Sequence, residues 1–318
     1  MVMRFTLRQI EYFVAAAEAG SIALASERTN ISPPSVSTAI SQLESEFGIQ
    51  LFIRHHAQGL SLTSEGGRFL MEAKRLMAQA IAMHGFADEL AQGVRGPLSV
   101  GCLIVFAAIV LPTLRNSFIA AHSEIIWSSS VGDQFTLLEK LRLAQIDVLL
   151  TYDLDIPKSV KFEPLAMLKT HALFPADHPI ANKPSVSLEE LAELPLILLD
   201  LPLSRDYFLE LFKTAGVAPN IRERVSDYDM LRSMVANGFG YSVGNIRPLA
   251  QTAPDGKQIR MVPLSNPHRP VKLGVATARE GFLPKVISAF EAHCRTLICD
   301  DSIPGMSPPL EQPTAPRS

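Results

Sequence analysis

Cysteine is scarce in this chain: Cys102, Cys294 and Cys299 are the only three among 318 residues. No pair has C-x-x-C spacing, and an odd count leaves one thiol over in any pairing scheme. A disulfide framework is therefore excluded, and reduced thiols in a reducing compartment are expected. Cys294 and Cys299, five apart on an expected helix, point in different directions, and no basic neighbour obviously stabilises a thiolate at either. Charge is also sparse, at 19% with a net of −3, and no basic tract announces nucleic acid. Residues 1–60 set Arg4, Arg8, Arg28 and Arg54 against Glu11, Glu18, Glu27, Glu44 and Glu46. Long apolar runs are lacking as well. The start MVMRFTLRQIEYF passes into an amphipathic helix without a signal-peptide core, and the apolar stretch around residues 102–111 is too short for a bilayer. A cytoplasmic globular protein with no membrane partner follows. With 47% apolar residues over this length, two or three folding units are expected.

Catalytic signatures are missing too. There is no Walker loop, Rossmann fingerprint, H-E-x-x-H or zinc spacing, so neither a metal nor a cofactor is implied. Gly240-Tyr241-Ser242-Val243-Gly244 does match G-x-S-x-G. A nucleophile elbow, however, needs a strand before the serine and a helix directly after it. Here a helical pattern precedes, and Asn245-Ile246-Arg247-Pro248 disfavours a helix after it. No catalytic residue is assigned.

What the chain does have is concentrated in residues 20–54, GSIALASERTNISPPSVSTAISQLESEFGIQLFIR. Ser21 caps a first short helix through Ile22, Leu24, Ala25 and Arg28, and Asn30-Ile31-Ser32 turns the chain. Pro33 and Pro34 open a second helix, where a missing N–H costs nothing. On it Val36, Ile40 and Leu43 recur at helical spacing, while Ser35, Ser37, Thr38, Ser41 and Gln42 take the other face. An apolar back with a hydroxyl- and amide-rich front suits a major groove. The plain alternative is an ordinary helical hairpin, whose exposed face would more often carry Lys and Glu. Residues 50–53 and 60–63 form a wing around the loop at 54–59. Arg54 there is a minor-groove candidate, with a solvated loop charge as its alternative. His55 and His56 face opposite sides of a hairpin and cannot chelate together.

Residues 1 to about 65 resemble the N-terminal domain of LysR-type transcriptional regulators, through LRQIEYFVAAAEAGSI, ISPPSVSTAISQLE, FGIQLFIR and LSLTSEG. The order of later segments is similar as well. The resemblance implies a DNA-binding regulator switched by a small-molecule effector, with Ser21, Ser32, Pro33, Pro34, Ser35, Ser37, Thr38, Gln42 and Arg54 at the double-stranded DNA. Pro33 stands where the family usually has glutamine, and Thr38 where a long polar residue is frequent. Ala39 replaces a frequent glutamine. Shape readout and methyl contacts then carry more of the specificity.

Residues 64–92 read as one long helix. Phe69, Ala73, Leu76, Ala80, Met83, Ala87 and Leu90 alternate four and three apart, the seam of a coiled coil. A helix so slender has no core of its own, so the stripe is expected against another chain, or else against the C-terminal domain. In the resembled family this linker pairs two subunits. The resemblance implies a homodimer, a homotetramer built from two such pairs, and altered DNA bending and RNA polymerase contact on effector binding.

After residues 94–97 the pattern changes to alternating strands and helices, implying a parallel three-layer α/β unit. The expected division is a winged helix-turn-helix at 1–63, a linker helix at 64–93 and an effector-binding domain at 94–302, with a proline-rich disordered tail at 303–318. Lobe I takes residues 97–168 and 269–300, and lobe II 169–268. The fold class is thus α/β: an all-α winged head, a long linker helix and a two-lobed α/β domain. Ligands in such folds sit where strand C-termini and helix N-termini of both lobes meet. That places the effector cleft at Cys102 and Leu103, Gln134 and Phe135, Tyr152 and Asp153, Ser204 and Arg205, and Ser226 and Asp227. Ser204 and Arg205 are candidates for a carboxylate, Phe135 and Tyr152 for a flat ring. Ser204, Ser226 and Asp227 have plain N-caps as their alternative, and Arg205 a surface ion pair. From another class, a solute-binding module without a DNA role explains the lobes but leaves residues 1–92 without a task.

Overall fold

The computed structural model describes residues 4–55, 59–89, 93–278 and 283–307. The chain divides into two compact units that part between Gly93 and Val94. The first holds α1 (Leu7–Ala19), α2 (Ile22–Thr29), α3 (Pro33–Phe47), β1 (Phe52–His55), β2 (Gly59–Leu62) and α4 (Ser64–Glu89). Local chemistry sets the helix ends. Thr6 and Gln9 form a capping box on α1, and Gly20, Asn30 and Gly48 supply the left-handed turns that stop α1, α2 and α3. Ile10, Phe13, Val36, Ile40 and Leu43 close a three-helix core with Leu51 and Phe52 beneath the wing. Phe13 meets Phe52 and Phe69 at centroid distances of 5.4 and 5.2 Å.

The wing is tied down by contacts the sequence did not advertise. Glu44 of α3 accepts the N–H groups of Leu51 and Phe52 through Oε1 at 2.8 and 3.2 Å. Leu60 N–H donates to Gly20 O at 2.8 Å, so the returning strand docks on the turn between α1 and α2. Gly66 starts α4 so close to the wing that a Cβ there would lie 2.0 Å from Leu51 O. The strands pair Phe52 with Leu62 and His55 with Gly59, shifted toward the tip from residues 50–53 and 60–63. The expectation that the α4 stripe must seek another chain is corrected for its first half. Phe69, Ala73 and Leu76 pack into the unit's own core, because α1 presents an apolar groove to them. The side chains of Met83 and Ala87, and the whole of Leu90, lie outside the described residues.

The second unit runs β3 (Gly96–Leu103), α5 (Ile104–Ala121), β4 (Ile125–Gly132), α6 (Gln134–Arg142), β5 (Val148–Tyr152), β6 (Val160–Leu168), β7 (His171–Pro175), α7 (Leu188–Ala192), β8 (Pro195–Leu199), α8 (Ser204–Thr214), β9 (Asn220–Val225), α9 (Tyr228–Ala236), β10 (Ser242–Gly244), β11 (Ile259–Pro263), β12 (Val271–Ala278) and α10 (Lys285–Leu297). Lobe I is a sheet in the order β4-β3-β5-β12-β6, and lobe II joins β10-β7-β11 to the pair β8-β9. The sheets are mixed rather than parallel throughout. β3 runs parallel to β4 and β5, but β12 runs antiparallel to both β5 and β6, because the chain re-enters lobe I from the other lobe. Residues 160–168 form the edge strand β6 of lobe I, and β11 pairs with β7 in lobe II. α5 is apolar and long enough, by composition alone, to cross a bilayer. Instead Phe106, Val110, Leu114 and Phe118 are buried, with Phe118 edge-on to Phe290 of α10 at 5.1 Å.

Residues 303–307, expected in the disordered tail, are an ordered strap. Asp300 Oδ1 accepts Met167 N–H at 2.6 Å on lobe I. Gly305 O then accepts Leu249 N–H, and Ser307 N–H donates to Arg247 O, both on lobe II. Met306 is buried between these bonds, an apolar anchor that the surrounding prolines mask in the sequence. Residues 308–318 lie outside the described part.

Candidate nucleic-acid interface and ligand cleft

On α3, Val36, Ile40 and Leu43 face the core, leaving a concave outer strip lined by Pro34, Ser37, Thr38, Ser41, Gln42 and Ser45. No residue of the strip is charged. Ser32, Pro33, Pro34, Ser35, Thr38 and Gln42 are exposed, while Ser37 and Ser21 are half-buried. Ser21 serves as the α2 cap and accepts from Leu24 N–H at 3.5 Å. Ser32 and Ser35 share a hydroxyl contact of 2.8 Å. The Gln42 amide is oriented from behind, its Oε1 accepting from Gln9 Nε2 at 2.7 Å. One expectation changes here. Ala39 is buried on the core side, so it does not occupy a reading position. The first turn of α3 also offers few amides to phosphate: its prolines have no N–H, and those of Ser35 and Val36 are bonded to Ser32 O. Arg54 begins the wing's outer part, and its side chain lies outside the described residues.

In the second unit, the five predicted loops do stand at strand ends. β3 ends at Leu103, β4 at Gly132, β5 at Tyr152, β8 at Leu199 and β9 at Val225. Many of the chosen side chains, however, are already committed to the fold. Cys102, Leu103 and Tyr152 are buried, and Tyr152 stacks obliquely on Phe106 at 5.7 Å. Burial pushes the Tyr152 phenol well above its ordinary range. Gln134 is 1% exposed and donates through Nε2 to the carbonyls of Tyr152 and Leu154, which makes it a brace between α6 and β5. Arg205 pairs with Asp200 at 3.0 Å and Asp206 at 2.8 Å. Asp227 caps α9 through Met230 N–H at 2.7 Å, and Ser226 beside it is exposed. Ser204 is buried as the first residue of α8, whose cap is Leu203 at φ +67°. Phe135 remains 60% exposed, the one aromatic of the set presented to solvent.

Helix starts differ in a way that matters for anions. α6 and α9 are capped by their own Asp133 and Asp227, whereas α5 begins after Leu103 with no side-chain cap and no acidic residue in its first turn. An uncapped helix start presents N–H groups and a partial positive charge. At the hinge, hydrogen bonds run in one sense across the lobes. Asn245 Nδ2 donates to Thr170 Oγ1, Thr170 meets Tyr207 Oη at 3.1 Å, and Tyr207 donates to Arg269 O at 2.9 Å. Arg269 in turn pairs with Asp153, whose other oxygen takes Lys272 N–H at 2.8 Å. Asp153 therefore fastens the second crossing. The sequence showed none of this network, since its members are scattered over a hundred residues and each looks ordinary alone.

The geometry of Ser242 is not that of a nucleophile elbow. It is fully buried within β10, paired with Leu173 of β7, and no helix follows. Cys102 and Cys294 are buried together, and burial drives both thiols strongly upward, away from reactivity. Cys299 is exposed.

Two family descriptions match this chain: the bacterial regulatory helix-turn-helix protein of the lysR family over residues 7–67, and the LysR substrate binding domain over residues 91–298. The uncharacterized HTH-type transcriptional regulator YybE of Bacillus subtilis is 26% identical over 291 residues, covering 90% of this chain and 96% of its own. HinK, a LysR family transcriptional regulator from Pseudomonas aeruginosa, is 35% identical with a TM-score of 0.63, covering 93% of this chain and 99% of its own. A full-length OxyR variant from Pseudomonas aeruginosa is 25% identical with a TM-score of 0.71, covering 92% and 98%.

Proposed function

Because this chain belongs to the LysR family of DNA-binding transcriptional regulators, we propose that two copies joined through α4 read a pseudo-palindromic site with α3 and the wing. In this scheme residues 1–63 read DNA, 64–93 pair the subunits, and 94–302 respond to a small carboxylate held between the lobes. Pairs of such dimers, as a tetramer, span two sites, and a change in lobe angle alters DNA bending and polymerase contact. Base discrimination rests on the neutral α3 strip, where Thr38 and the two prolines offer methyl and methylene contacts and Ser37 and Gln42 offer hydrogen bonds. Phosphate affinity falls to arginines such as Arg54 rather than to the first turn of α3.

The observation that carries the effector reading is the uncapped, acid-free start of α5 at the end of β3. It offers a carboxylate N–H donors at the end of β3, in the same lobe as Phe135. Arg205, already paired with two aspartates, supports a carboxylate less well than the α5 amides do. A ligand bound there switches the regulator only if its affinity differs between two lobe arrangements. Mobility shift and footprinting on the gene's own upstream region, with and without a cleft ligand, test the scheme. A changed footprint or bend angle is expected. A ligand confirmed in the cleft that leaves both the footprint and transcription unaltered would overturn it.

A further inference from the structure

We propose that a cavity behind the hinge of the effector unit is a second small-molecule site, built for a monocarboxylic acid with an apolar body. The cavity has a volume of about 300 Å³, within the range of metabolite-sized pockets. Its walls come from both crossings between the lobes, residues 167–171 and 263–270, from Asn245 and Arg247, and from the strap at 300–307. None of the residues assigned to the interlobe cleft lines it.

The polar lining marks it as more than a packing gap. His171 borders the cavity at 2% exposure, and neither Nδ1 nor Nε2 has a hydrogen-bond partner. No group meets either nitrogen in good hydrogen-bonding geometry, although backbone groups of Ile246 and Lys169 stand close enough to favour the protonated ring. A buried imidazole with both nitrogens unspent is costly unless something meets it, and water or a ligand are the two candidates. The neighbouring His268 shows the contrast. Its Nδ1 faces Asn266 O and its Nε2 accepts Thr170 N–H, so both of its nitrogens are used.

Charge and shape then select the ligand class. Arg247 and Lys169 line the cavity, and Arg247 is near enough to His171 to act on it electrostatically. Two acidic residues also line it: Asp300, with one oxygen committed to Met167 N–H, and Asp301, both exposed to solvent. A guanidinium beside a neutral ring N–H is the donor pattern for one carboxylate. Leu264, Ile303 and Met306 offer the remaining surface to a hydrocarbon body. Since the walls belong to both crossings and to the strap, a bound acid stabilises one lobe angle over others.

The test uses the full chain, with thermal shift and calorimetry on phenylacetate, hexanoate and 4-methylpentanoate and on their neutral amides. At least one acid is expected to raise the melting temperature, and its amide to do so far less. Ser302→Trp, which fills the mouth from an exposed position, should abolish that shift. Arg247→Gln and His171→Phe should each weaken binding by about tenfold, the effect of one charge-assisted contact. Phe135→Ala, in the interlobe cleft, should leave it unchanged. The proposal fails if no acid stabilises the protein, or if stabilisation survives Ser302→Trp. Loss of binding in Phe135→Ala alone would assign the acid to the interlobe cleft and leave that reading standing while this one falls.

Discussion

The outer strip of α3 and the loops expected to form an effector cleft were both picked out by sequence, yet they differ in what their side chains are doing. On α3 the hydroxyls of Ser37, Thr38, Ser41 and Ser45 stand on an uncharged, concave face. In those loops, Gln134 braces β5, Asp153 fastens Arg269, Arg205 holds two aspartates and Asp227 caps a helix. The first surface shows its polar groups on an uncharged helix face, while the second has spent most of them bracing lobes and capping helices. A residue's type and its place at a helix start are therefore poor guides to ligand contact unless its existing partners are counted.

The sharpest way to break that contrast is to disturb the support of the reading head rather than its face. Gly66→Ala should cost roughly 4 kcal/mol or prevent folding of the head, since its Cβ would meet a backbone oxygen at 2.0 Å. Urea denaturation of the full chain measures it, and a near-neutral result would mean the wing is not held against α4 as described. Glu44→Gln comes next, at about 2 kcal/mol, because two backbone N–H groups lose a charged acceptor. DNA affinity should fall with it while the base preference stays.

His171 extends the comparison to pH. Burial and Arg247 lower its pKa from 6.5 to about 3. As the pH falls below 6.5, the unfolded chain takes up a proton that the folded chain refuses until about 3. Stability is therefore lost on the acid side, by roughly 1 kcal/mol per pH unit across that window. Chemical denaturation between pH 7 and about 4 should show this extra slope in the parent and not in His171→Phe. The smallest effect belongs to the face itself. Thr38→Ala should relax preference at one base pair by about 1 kcal/mol with little change in stability, and an unchanged site-selection profile would remove it from the reading set.

The features legible in the sequence were the ones decided by neighbours in the chain. Pro33 and Pro34, the left-handed glycines at 20 and 48, and the Val36, Ile40, Leu43 spacing fix α1 to α3 almost residue for residue. Ala39 was misplaced because the buried face of α3 is wider than those three positions suggest. The antiparallel return of β12 and the existence of β11 depend on partners a hundred residues away, which no local period encodes. Leu203 carries a positive φ with no glycine or asparagine to announce it, so it takes the cap position of α8 and Ser204, a cleft or cap candidate, is buried as the first helical residue. Met306 was hidden by its prolines, and the cavity it helps to enclose was hidden with it.

The strap has one more consequence. Two covalent crossings alone leave a pair of lobes free to bend and to twist, and the bonds from Asp300, Gly305 and Ser307 add a third fastening drawn from the far end of the chain. Trimming the protein back to α10 would leave every strand and helix in place and yet release one of those freedoms, giving a slacker clasp without altering a single atom of the reading helix.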